Sequence, residues 1–119
     1  MLQDPEKVYQ ASLDKAYNSI DSARAANEAG RYQEAIQIVE SVAEDVESAL
    51  ATLEAMPKPA YKNHKNYKRA EIRTREILRR LDTFINDCAI DEREAMQPHR
   101  ARINKVHDKL LAGVMSKKP

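Results

Sequence analysis

The sequence predicts an all-α fold, an antiparallel up-down-up-down four-helix bundle, and three observations carry that expectation. An apolar stripe at steps of three and four restarts four times along the 119 residues, and each stripe must be covered by another helix. Only two glycines are present and 33% of residues are charged, a mix rich in helix formers and poor in strand formers. The stretches between breakers are of similar length, about 25 residues or ~38 Å of helix each, as a bundle with short connections requires.

Asp4 followed by Pro5 reads as an N-cap with proline at the first helical position. The first helix, about 5–29, carries Tyr9, Leu13, Ala16 and Ile20 on its stripe, and Gly30 supplies the left-handed residue that ends it. The second, about 31–56, places Tyr32, Ile36, Val39, Val42, Val46, Leu50 and Leu53 on one face. Pro57 and Pro59 stop it, and Lys58 before a proline is pushed out of helical geometry. The third, about 61–87, starts near Tyr61 or Asn63 and buries Tyr67, Ala70, Ile77, Leu81, Phe84 and Cys88. Glu71–Arg75 and Glu76–Arg80 fall at i,i+4 in the favourable order. The fourth, about 91–115, carries Met96, Ile103, Val106, Leu110 and Val114. Asp91 with Glu94 three residues on resembles a capping box. Pro98 then either kinks this helix near 94–97, the preferred reading, or starts a fresh helix after a short turn at 91–96. Residues 116–119 are expected to fray.

One domain spanning 1–119 is expected, large enough for a continuous core without staples. The single cysteine, Cys88, has no partner for an internal disulfide. No apolar run is long enough to cross a bilayer, so no membrane insertion is expected. The opening MLQDPEKVYQ has neither the basic nor the apolar region of a secretory signal. Residues 1–56 carry 4 Lys+Arg against 11 Asp+Glu, a net of −7. Residues 57–119 carry 16 against 8, a net of +8, and together they give the chain its +1. An external anionic partner would explain that split. Neutralisation within the molecule or within a dimer explains it more simply: Glu40, Glu44 and Glu47 of the second helix are expected to face Arg69, Arg73 and Arg80 of the third.

Residues 30–36, GRYQEAI, resemble the helix–turn–helix junction of a tetratricopeptide repeat. The upstream aromatic and Leu-Gly pair are missing, no second copy follows, and the helices are too long for that repeat. The segment is therefore read as a helix–turn–helix junction only. The stretches 67–81 (YKRAEIRTREILRRL) and 107–115 (HDKLLAGVM) resemble an uncharacterised group of small bacterial all-helical proteins. Members of that group often carry an export signal, so the resemblance implies a periplasmic or exported location. It assigns no function and transfers no functional residue.

Motifs for catalysis are missing. A carboxylate-bridged di-metal site needs Glu-x-x-His twice, yet Tyr61, Met96 and Asn104 stand three residues before His64, His99 and His107. His99 and His107 lie two turns apart, ~12 Å along a helix and too far to share one metal. Each reads as a half-buried, hydrogen-bonded histidine. Cys88, flanked by Asp87 and Asp91, reads as a packing residue, because neighbouring carboxylates disfavour a thiolate. Isolated Gly30 and Gly113 cannot build a phosphate loop. No enzymatic activity, cofactor or metal is expected.

One segment stands out as a candidate anion or partner surface: Lys58, Tyr61, Lys62, His64, Lys65, Lys68 and Arg69, interleaved with Asn63 and Asn66. Basic residues among aromatics at a helix entrance can hold a polyanion, with charge on phosphates and rings on bases. The pI of about 7.8 is low for a nucleic-acid binder, so nucleic acid is not the expected partner. The role expected from the sequence is a non-enzymatic interaction or scaffold domain that binds a protein, including a second copy of itself. The alternative is binding of nucleic acid or an anionic cell-envelope polymer through 58–69.

Overall fold

The computed structural model describes residues 3–119, which form four α-helices and one short 3-10 turn. Asp4 opens α1 (Pro5–Glu28): its Oδ1 accepts the backbone N–H of Glu6 at 3.0 Å. Gly30, at φ +80°, reverses the chain after α1, and its backbone N–H and that of Arg31 close onto the carbonyls of Asn27 and Ala26. The second helix, α2, spans Tyr32–Glu54. After Pro57 and Pro59 comes the 3-10 turn Ala60–Lys62, then α3 (His64–Asn86). The third helix thus begins at His64 with Asn63 at its N-cap, the later of the two expected starts, because Pro59 holds an extended ψ of 164° and the chain needs one tight turn to re-enter helical geometry.

The last helix, α4 (Ile90–Met115), runs through Pro98 without a break, so no fresh helix starts there. Its entrance differs from expectation. Ala89 takes the N-cap position with no side-chain cap, and Asp91 already lies inside the first turn, so the Asp91–Glu94 capping box does not form. Arg93 is used instead to close the end of α3. Its guanidinium donates from Nε to the Cys88 carbonyl at 2.8 Å and from Nη2 to the Asn86 carbonyl at 2.7 Å.

One cluster of buried side chains joins all four helices. Tyr9, Leu13 and Ile20 from α1 meet Val39, Val42 and Leu53 from α2, Ile77, Leu81 and Phe84 from α3, and Met96, Ile103 and Leu110 from α4, all essentially inaccessible to solvent. Pairing is most extensive between α1 and α2, which together bury Ala16, Ala23, Ala26, Ala35, Ala43 and Ala49. Small side chains let helix axes approach closely. Three stripe positions are not core: Tyr32 is 51% exposed at the start of α2, and Ile36 and Val114 are half-buried.

The neighbours of each helix follow from the polar contacts. Along α1 and α3, partners rise together: Tyr9 with Asn66, Asp14 with Arg73, Asp21 with Arg80, Arg24 with Asp87. Glu40 with His99 and Glu47 with Arg102 rise together along α2 and α4. Along α3 and α4 the order reverses, with Asp82 on Arg100, Glu71 on His107 and His64 on Ser116. Helices α2 and α3 barely touch. Contrary to the expectation from the sequence, the acidic row of α2 does not face the arginines of α3: Glu40 and Glu47 turn to α4, and α1 supplies carboxylates for Arg73 and Arg80. The extents of 49 × 33 × 16 Å fit this arrangement. Two layers with axes ~10 Å apart, plus a Cα radius of ~2.3 Å on each side, are ~15 Å thick.

Candidate anion and partner surface

The segment 58–69 is held by a buried polar node. Asn63 and Asn66, three residues apart at the entrance of α3, are both buried. Asn66 donates from Nδ2 to Asn63 Oδ1 at 2.8 Å and to Glu6 Oε1 at 3.2 Å, and its Oδ1 accepts the Tyr9 hydroxyl at 2.9 Å. Asn63 Nδ2 lies 3.3 Å from the Met56 sulfur. The start of α1, the end of α2 and the start of α3 are thereby tied together, with every amide partnered. Burial pushes the Tyr9 hydroxyl above its ordinary pKa, so it stays a neutral donor.

On that support the candidate residues divide into two groups. Lys58, Lys62, His64, Lys65, Lys68 and Arg69 are exposed, and Tyr61 is half-buried with the Lys62 ammonium 5.7 Å from its ring. His64 Nε2 meets the Ser116 carbonyl at 2.8 Å, and Ser116 Oγ in turn donates to Gly113. The residue after α4 is therefore tied down rather than frayed. Tyr67, by contrast, is 7% exposed and belongs to the core. Its ring cannot stack on a base, which leaves Tyr61 as the one partly open aromatic of the segment.

Among the described residues no carboxylate lies within ion-pair distance of Lys58, Lys62, Lys65, Lys68 or Arg69. Arg73, Arg75, Arg80, Arg100 and Arg102 each have one. The expectation that the basic half is neutralised as a whole thus holds for those five arginines, and fails for Arg79 and for this segment. Lys65, Lys68 and Arg69 share one face by their spacing. Arg69 also borders a shallow groove of 260 Å³ between α1 and α3, floored by Tyr9, Leu13 and Ile72.

The remaining titratable groups sit in structural networks. Burial pushes Glu71 up, but hydrogen bonds from His107 Nε2 at 2.8 Å and Arg75 Nε at 2.9 Å outweigh it and hold the carboxyl below its ordinary pKa. The sequence showed the Glu71–Arg75 pair by its i,i+4 spacing; the burial and the bond to His107, 36 residues away, it did not show. The Glu76–Arg80 pair does not form: Glu76 binds Arg73, while Arg80 turns to Asp21 and the Tyr17 hydroxyl. Tyr17 lies between two guanidiniums, 4.0 Å from Arg73 and 4.7 Å from Arg80. Cys88 is buried with its thiol on the Phe84 carbonyl, and burial together with Glu92 raises its pKa. His99 is half-buried but, against expectation, not hydrogen-bonded: its Nε2 stands 3.8 Å from Glu40, and its buried Nδ1 has no partner among the described residues. Among the described residues no three His, Cys, Asp or Glu side chains are placed to hold a metal ion, and no helix is long and apolar enough to cross a membrane.

No protein-family model, curated protein or solved structure matches the chain.

Proposed function

We propose that this protein is a non-enzymatic interaction domain, a single four-helix bundle whose helices alternate up and down in chain order but pack α1 parallel to α3 and α2 parallel to α4, that binds an acidic protein surface through the cationic end formed by 58–69. The observation that carries this reading is the contrast in charge pairing: five of the six mid-rod arginines have a carboxylate partner, Arg79 being the exception, whereas five cations at one end are exposed and unpaired. Unpaired like charges repel one another and are relieved by an external anion. The alternation of helix direction is supported by the order of polar contacts, and the single domain by the one continuous core. The cations sit on a prebuilt polar node, so binding requires little reordering of the backbone.

A second reading, a nucleic acid or an anionic cell-envelope polymer on the same surface, is favoured by the density of lysine on one helix entrance. The buried Tyr67 ring weighs against base stacking and places an acidic protein first. Side-by-side titration of the chain with poly-glutamate, heparin and single-stranded RNA separates the two. The expected result is salt-sensitive binding of poly-glutamate that the charge reversal Lys62→Glu, Lys65→Glu, Lys68→Glu and Arg69→Glu abolishes without loss of helical circular dichroism. RNA or heparin binding that stays tight at physiological salt, with poly-glutamate bound weakly, decides for the second reading.

A further inference from the structure

We infer that the acidic surface met by the cationic end is the opposite end of a second copy of this chain, so that molecules associate end to end. The inference rests on the proposed function of that end and adds its partner.

The molecule is charged oppositely at its two ends. Around the α2–α3 connection eight cations lie against three carboxylates, Asp4, Glu6 and Glu54. Five of the cations are those of 58–69, Lys7 lies beside Glu6, and Lys117 and Lys118 follow Ser116, whose carbonyl is held by His64 at 2.8 Å. The helical hairpin turns occupy the other end, where Arg24 and Asp87 pair at 2.9 Å and so bring the α1–α2 and α3–α4 turns together. That end carries Glu28, Glu34, Asp87, Asp91, Glu92 and Glu94 against three arginines. All three are engaged: Arg24 on Asp87, Arg31 on Glu34, and Arg93 on two carbonyls of the α3 terminus. Glu28, Asp91 and Glu94 are exposed and have no ion-pair partner among the described residues.

Apolar residues mark the same two ends. Ile90, the first residue of α4, is 69% exposed and Tyr32, the first of α2, 51%; Met115, the last of α4, is 70% exposed. An exposed apolar side chain within a charged ring is the composition of a small protein interface, with charge steering approach and apolar contact holding it. Ends of opposite sign on one rod cannot satisfy each other within a molecule, since α3 alone keeps them ~34 Å apart. Between molecules they can. Each such contact leaves one free end of each sign, so growth is open rather than closed at a dimer.

Sedimentation velocity of the untagged chain over a concentration series tests this. The expected result at low salt is a weight-average sedimentation coefficient that rises with concentration and does not level off at a dimer. At ~1 M salt, where the screening length falls to ~3 Å, the rise disappears. Two variants, Lys62→Glu/Lys65→Glu/Lys68→Glu and Glu28→Lys/Asp91→Lys/Glu94→Lys, should each stay monomeric, with self-association weakened about a hundredfold or more by like-charged ends. Mixed together, the two variants should associate again, because every end of one now complements every end of the other. Glutamine in place of each reversed residue, with Ile90→Glu as a further variant, gives the same loss of association should a reversed protein fold poorly. A wild-type chain that stays monomeric at low salt while binding poly-glutamate overturns the second-copy inference and leaves the cationic end as a binding surface. Failure to associate and to bind poly-glutamate overturns both. Association that saturates at a dimer, or that survives reversal of the acidic end, overturns the end-to-end arrangement.

Discussion

At the residue scale, Glu71 shows how a partner distant in sequence changes the meaning of a side chain. With Arg75 alone it would be one of many helix-surface pairs, worth a few tenths of a kcal/mol. Burial favours its neutral form, but the hydrogen bonds from His107 and Arg75 outweigh that and make it a carboxylate whose neutral form is disfavoured in the folded state. Its lowered folded pKa contributes stability that is present above the unfolded value and lost as pH falls through the folded one. Glu71→Gln is expected to cost ~1–3 kcal/mol at neutral pH, from hydrogen bonds to a charged acceptor. The gap between variant and wild type should narrow on acidification, and urea midpoints at neutral and acid pH measure it. Gly113 makes a second case. A glycine inside an exposed helix normally gains ~1 kcal/mol on replacement by alanine. Here a Cβ would fall inside the contact distance of the Tyr67 ring, which is itself buried. Gly113→Ala is therefore expected to lower stability by ~1–3 kcal/mol, the usual cost of overpacking. A urea midpoint above wild type would show that Tyr67 can move aside freely.

At the scale of the helices, the apolar stripe decides which face is buried. Leu81 and Phe84 have no accessible surface, and both are mid-stripe on α3. Leu81→Ala or Phe84→Ala is expected to cost ~2–5 kcal/mol, read as a shift in denaturant midpoint. Positions such as these were legible because the 3.6-residue period is a local property. So were Asp4 at the start of α1 and Gly30 after it, since cap and left-handed residue act on the backbone next to them. Element boundaries set by distant groups were not legible. The entrance of α4 moved to Ala89 as Arg93 turned back onto the carbonyls of α3. The choice between starts of α3 near Tyr61 and near Asn63 fell to the second, where Asn66 meets Tyr9 and Glu6 from another helix.

At the scale of the whole molecule, the charge layout is the property from which the proposed function is drawn. The split between acidic and basic halves was visible in the sequence. Where the residual charge would collect was not. Most arginines of α3 and α4 take a carboxylate of α1, α2 or α3 along the rods, and five unpaired cations gather at one end. Asn63 and Asn66, which support that end, gave only a weak signal in the sequence, two buried-capable amides at i,i+3 beside a helix entrance. The salt dependence expected of poly-glutamate binding and of self-association belongs to this scale, because both act between whole surfaces and are screened over ~8 Å at physiological ionic strength.

The number of helices, the apolar face of each and the residues that reverse the chain could all be read locally. Those properties follow from spacing and backbone preference within a few residues. That α1 lies on α3 and α2 on α4, and hence which charges are paired and which are left over, was settled by how the helices pack. Periodicity states that a face needs a neighbour without naming it. The choice among neighbours depends on how helix surfaces interlock over their whole length, and an ion pair such as Asp14–Arg73 exists only once that choice is made.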